Sequence, residues 1–171
     1  MVTRRLNAFG GGLFAALATG LLIALLAACT RSQDQPDLDE VPKQVMDTLK
    51  ARFPGAEIHK CSKEKEGDLT VYDFEFTQEG QKFEMDILED GTVQNWEKEV
   101  SINDLPGAVR KAVETKYPNA ALKEIMAITA VRNGKDTPEG YEIALETADR
   151  EEVEITVAPD GQFLEDSGDE E

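Results

Sequence analysis

Apolar residues recur at every fourth position through Val41, Val45, Leu49 and Phe53, while Lys43, Gln44, Asp47, Lys50 and Arg52 fill the positions between them. That period places the four on one side of an amphipathic helix of about three turns, with a solvated face opposite. Pro42 falls in the first turn, where its missing N–H is not needed, and Pro54 stops the helix. The plan returns with Leu105, Val109, Val113 and Tyr117, opened by Pro106 and closed by Pro118. Glu40 and Asp104 stand at the positive ends of the two helix dipoles.

After each helix the period falls from four to two. Tyr72, Phe74 and Phe76 alternate with Asp73 and Glu75, and Phe83, Met85 and Ile87 alternate with Glu84 and Asp86. These are strands with one apolar and one acidic face. A two-residue turn at Glu79-Gly80 joins them, and Asp90-Gly91 turns the chain into a further strand around Val93 and Trp96. The second copy has Tyr141, Ile143 and Leu145, then Val153, Ile155 and Val157, with Asp160-Gly161 before Phe163. Its hairpin is one residue longer, which predicts a three-residue turn near Asp149. The extra residues from Asn133-Gly134 to Pro138-Glu139-Gly140 read as a longer surface loop. A first strand follows each Pro joint, near residues 56–62 and 122–131.

The joint Phe53-Pro54-Gly55-Ala56 therefore recurs as Tyr117-Pro118-Asn119-Ala120, and the chain is a tandem repeat. The expected fold class is α+β, with two tandem repeats, residues 41–100 and 101–166. Each is a helix packed on an antiparallel meander of about four strands, because the helix stripe and the apolar strand faces have only one another to cover them. Units this small bury little core alone, so each is expected to lean on its neighbour by sharing a sheet or packing closely. The opposite face of the strands is left to solvent or to a partner.

Charge and the chain ends change the picture next. The 171 residues carry a formal net charge of -17, which argues against nucleic-acid binding, since phosphate contacts need Lys and Arg. Arg4 and Arg5 precede an uncharged stretch with the apolar core Leu21-Leu22-Ile23-Ala24-Leu25-Leu26, so residues 1–28 read as a secretory signal peptide. The end of that stretch, Leu26-Ala27-Ala28-Cys29, resembles the lipobox of bacterial lipoproteins. The resemblance implies cleavage before Cys29, lipidation of its sulfur and new amino group, and anchoring to a membrane by acyl chains. An uncleaved membrane anchor is the competing reading. Thr30 stands where inner-membrane retention wants Asp, so the expected location is the outer membrane, facing the periplasm. Residues 29–40 then form a flexible polar tether. Residues 165–171, of which 167–171 lie beyond the second repeat, form an acidic tail without structure.

Two copies of a Pro-started helix, an aromatic-Pro-x-Ala joint, strands alternating Tyr or Phe with acid, and an Asp-Gly turn resemble the PepSY-like domains over roughly residues 40–165. Within them the chain is similar to the group likened to the beta-lactamase inhibitory protein. The resemblance implies a non-enzymatic, envelope-attached protein that binds or inhibits an enzyme such as a peptidase, through the open face of its sheet. The inhibitory protein's disulfides have no counterpart, because Cys61 is the only cysteine besides Cys29.

With Glu79-Gly80 as the turn, Phe76 faces Phe83 and Phe74 faces Met85 on the inside, while Glu75 faces Glu84 and Asp73 faces Asp86 outside. In the second copy Glu146 faces Glu152, with Glu142 and Glu154 nearby. Like charges directly opposite are unfavourable by up to about 1 kcal/mol. These eight carboxylates are the candidate contact surface, for an envelope protein or a basic peptide in one reading and for Ca²⁺ or another divalent cation in the other. A face that is simply solvated is the third possibility. His59 and Cys61 lie two apart on a strand and on one side of it, but a metal centre needs further ligands and a nucleophile needs an orienting group. The expectation is therefore no catalytic residues, no bound cofactor and no dedicated metal site.

Overall fold

The structure, a computed structural model, describes residues 38–169. The expected signal peptide, Cys29 and most of the expected tether lie outside the described residues, as do the last two residues of the chain. The order of elements is α1 (Lys43–Arg52), β1 (Glu57–Glu66), β2 (Leu69–Gln78), β3 (Gln81–Leu88), β4 (Val93–Glu99), α2 (Gly107–Lys116), β5 (Ala121–Arg132), β6 (Lys135–Glu146), β7 (Glu152–Val157) and β8 (Phe163–Asp166). Short 3-10 turns at Ile102–Asp104 and Ser167–Asp169 complete it.

The architecture corrects the expectation of two repeats, each with a helix on its own four-stranded meander. The strands form one eight-stranded antiparallel sheet in the order β1 to β8, and only two ten-residue helices lie on it among the described residues. The continuity comes from β4 and β5, paired from Asn95↔Ala130 to Glu99↔Met126. Had each copy closed on itself, β4 would present a row of unpaired N–H and C=O groups to water. The short connection through residues 100–106 keeps β5 close, and Val100 N–H donates to Ile125 O at 2.9 Å to start the pairing.

Helix periodicity puts the core under the sheet in two patches. Val45 and Leu49 of α1 are fully buried with Phe74, Phe76, Met85 and Ile87, and Phe53 closes the cluster edge-on to Phe76 at a ring separation of 4.8 Å. Val109 and Val113 of α2 pack with Ile143, Leu145, Ile155 and Val157. Register carries one face across the molecule: Met85 pairs with Trp96 and Trp96 with Thr129, on the same side of β5 as Ile125. Both helices therefore lie on a single face. Pro42 and Pro106 are the N-cap residues, and the N–H groups of Phe53 and Tyr117 close the last turns on Leu49 and Val113 at 2.8 Å each.

The Asp-Gly turns seat the helices. Gly91 has φ +87°, and a Cβ there would come within 3.2 Å of Gln44 O and Thr48 Oγ1; Gly161 has φ +92°, and a Cβ would meet Ala108 O at 2.9 Å. Only glycine serves both demands, a left-handed backbone and a close helix. Thr48 Oγ1 and Gln44 Nε2 donate to the carbonyls of Gly91 and Glu89 at 3.0 and 2.9 Å.

Three further expectations are corrected. The Asn133-Gly134 region is not a surface loop: the two residues have φ 53° and 71°, the conformation of a tight hairpin turn, and residues 135–140 lengthen β6 against β5. The tail is structured as far as Asp169. Glu165 and Asp166 finish β8, Tyr117 Oη donates to Asp166, Lys116 pairs with it at 2.5 Å, and Glu154 N–H donates to Ser167 Oγ at 2.9 Å. At the other end, Leu38, expected in the tether, packs on the first core.

Candidate functional site

The face of the sheet opposite the helices is where the acids gather. Glu79 and Gly80 have φ 54° and 77°, a tight turn that fixes the pairs Asp73↔Asp86 and Glu75↔Glu84; the longer turn of the second copy fixes Glu146↔Glu152. All three are the predicted oppositions. Glu142 pairs with Thr156, and Glu154 of the next strand is the largest of the charges that act on it. Glu152 is exposed at the rim, whereas Asp73, Glu75, Glu84, Asp86, Glu142, Glu146 and Glu154 are half-buried.

Because β4 and β5 bridge the copies, the two groups of acids form one field, and Glu84 of β3 raises the pKa of Glu142 on β6. Between them stand residues that sequence reasoning did not single out. Glu97 of β4 lies opposite Glu84 on one side and Ile128 on the other, and Asn95 lies opposite Asp86. On β5, Met126, Ile128 and Ala130 share this face; Met126 and Ala130 are 2% and 5% exposed. The middle of the face is thus an apolar floor walled by carboxylates. The signal for Glu97 was present, since period two runs on through Asn95, Trp96 and Glu97. No local pattern says which strand will lie beside β4.

Burial dominates the electrostatics. It pushes Glu97 up to about 9, with Glu142, Glu84, Asp86 and Asp73 adding repulsion. It pushes Glu142 up to about 8, with Glu154 adding the largest repulsion, and Asp86 up to about 7, against a 2.9 Å hydrogen bond donated by Asn95 Nδ2. Asp73, Glu84 and Glu154 are raised by the same cause. The few cations are engaged: Lys82 bridges Glu84 and Glu124 at 3.0 and 2.7 Å, Lys60 pairs with Glu75 at 2.6 Å, and Lys123 with Glu146 at 3.1 Å. Burial pulls Lys82 down, but its two carboxylates outweigh that and hold it above its ordinary value.

The structure separates His59 from Cys61. A bulge between Ile58 and Lys60 takes up His59, whose Nε2 lies 2.9 Å from Thr77 Oγ1 on the outer side, while Cys61 pairs with Phe74 and packs on the core. Burial raises the thiol to about 11, away from a reactive thiolate. They therefore do not share a side. Among the described residues no group of three or more His, Cys, Asp or Glu is arranged to hold a metal ion, and no helix is long and apolar enough to cross a membrane. A groove of about 390 Å³ between α2 and the Asp160-Gly161 turn and one of about 510 Å³ beside Gln81 and Ser101 are lined by other residues.

Known proteins place this geometry. No curated protein matches the chain. Among solved structures, a BLIP-like protein from Bacteroides fragilis is 22% identical with a TM-score of 0.51, over 74% of this chain and 85% of that one. A DUF2874 family protein from Bacteroides uniformis is 15% identical with a TM-score of 0.55, over 73% and 87%. A protein from Bacteroides eggerthii named for the periplasm is 15% identical with a TM-score of 0.54, over 74% and 88%. At these identities the likeness is one of fold. The family model described as beta-lactamase-inhibitor-like, PepSY-like matches twice in tandem, at residues 30–95 and 91–165, and the chain belongs to that family.

Proposed function

We propose that this is an envelope-anchored, non-catalytic binding module that uses its acidic sheet face to hold a cationic protein surface or basic peptide, and that it restrains an envelope enzyme such as a peptidase. One observation carries the reading: apart from Glu152, the predicted acids of this face are half-buried beside one another rather than held out in water. Carboxylates kept only for solubility gain most from full hydration and mutual separation, whereas these are largely desolvated, with Asp73 set against Asp86 and Glu75 against Glu84. An arrangement that costs stability when empty is relieved by a partner that brings positive charge. The apolar floor of Met126, Ile128 and Ala130 suits the aliphatic stem of an Arg or Lys whose head reaches the surrounding acids.

The family supports a binding role, since its description likens it to an inhibitor. The lipobox-like sequence ending at Cys29 and the periplasmic name of the Bacteroides eggerthii protein support a lipid-anchored position, taken to be the outer membrane facing the periplasm. The test is capture from envelope extract by the full chain in detergent, beside a Glu75→Lys, Glu84→Lys variant that still melts cooperatively. The expected result is a protein held by the first, lost by the second, and released as salt rises. Equal capture by both, or none by either, overturns the reading. A rise in melting temperature with Ca²⁺ at constant ionic strength would instead make the same carboxylates a cation site.

A further inference from the structure

Glu97 sits where the two halves of the sheet meet. On β3 its partner is Glu84, on β5 it is Ile128, and the flanking residues of β5 on that face, Met126 and Ala130, are buried and apolar. Its Oε2 is shut away from solvent and has no hydrogen-bond partner among the described residues. On the far side of β5, Glu142 lies opposite Met126, half-buried, and Glu154 of β7 is the largest of the charges that act on it.

We propose that this seam is a proton-dependent joint: Glu97 and Glu142 hold protons while β3 to β7 lie together, and the joint loosens as the medium turns alkaline. Every strand around it faces the pair with acid. Asp73 comes from β2, Glu84 and Asp86 from β3, Glu124 from β5 and Glu154 from β7. The cations of the same face, Lys82 and Lys60, are held by Glu84, Glu124 and Glu75. A second negative charge at either position therefore meets neighbours of its own sign. The proposal concerns the chain with nothing bound to that face.

The direction follows from linkage. The unfolded carboxyls titrate near 4.5, whereas burial holds Glu97 and Glu142 at about 9 and about 8 in the fold. Between those values the folded chain binds more protons than the unfolded chain, so stability falls as pH rises. Their protonated contribution is complete below about 4.5 and is lost through about 8 to 9. The experiment is thermal unfolding of the full chain in detergent at pH 5, 7 and 9, beside Glu97→Gln, Glu142→Gln and the double variant. Glutamine keeps the shape and the neutral state. The wild type is expected to lose on the order of 10 °C between pH 5 and 9, and the double variant to lose clearly less and to melt higher at pH 9. A titration of ¹³C-labelled glutamate side chains in the wild type should show two carboxyls with midpoints far above the ordinary range, both absent from the double variant. A wild-type melting point that holds or rises towards pH 9, an unchanged slope in the double variant, or ordinary midpoints throughout would overturn the proposal.

Discussion

Gly161 concentrates in one residue the fit between helix and sheet. Its left-handed φ of +92° and the 2.9 Å approach of Ala108 O act together, whereas Gly134, with φ +71°, has open space where a Cβ would stand, with nothing within 4 Å. Gly161→Ala therefore adds a clash with backbone to an unfavourable φ, and Gly134→Ala adds the unfavourable φ alone. We expect a loss of about 2–3 kcal/mol for the first and about 1 kcal/mol for the second in urea unfolding. Equal losses would mean that the Asp160-Gly161 turn yields to the helix without cost. Single residues were also where the sequence spoke most clearly. Alternation together with Glu79-Gly80 fixes Asp73 against Asp86 and Glu75 against Glu84, because a two-residue turn admits one register. Glu97 was legible as outward-facing but not as half-buried, since its covering comes from β5, a strand that begins more than twenty positions later.

At the scale of elements, the lengthened hairpin of β5 and β6 does something its counterpart in the first copy does not. Asp136, near its tip, pairs with Arg52 in the last turn of α1, and the Arg52 guanidinium lies 5.4 Å from the centre of the Trp96 ring. The hairpin thus reaches from the second copy to the first helix. Arg52→Ala removes the ion pair, the stacking over Trp96 and the packing of the long stem, so a loss of about 1–2 kcal/mol is expected. Asp136→Ala removes a pair that is partly in water and should cost less than about 1 kcal/mol. Chemical denaturation of the two variants and their double mutant measures the coupling, and a larger loss at Asp136 would show that the pair outweighs the stacking. This contact was hidden because the extension reads as loop when Pro138 and Gly140 are taken as breakers. In the structure β6 absorbs them with a bulge at Glu139, between the pairs Ile128↔Gly140 and Thr129↔Pro138. The bulge at His59 is the same kind of event, and it turns two residues of one alternation to opposite sides.

For the whole molecule the decisive link is the β4–β5 pairing, and it is the one the repeat itself concealed. Two copies of one pattern suggest two units, and nothing inside either copy states that the last strand of one is the neighbour of the first strand of the next. The physical reason lies in what β4 would otherwise expose: the backbone groups that now bond to β5 from Asn95 to Glu99, and the side of Glu97 now covered by Ile128. Both helices cover one face, so each half has a core of its own, but the first half ends on an unfinished edge. The full chain is therefore expected to unfold in one step, with calorimetric and van't Hoff enthalpies in agreement. A chain ended after Val100 keeps the first core yet presents β4 as an open edge, which is a template for pairing with another copy. It should run as a dimer or larger species in size-exclusion chromatography and melt without a sharp transition. A truncated chain that stays monomeric and melts cooperatively would show that the halves are joined only by position, and that β5 contributes to the acidic face without being needed to fold it.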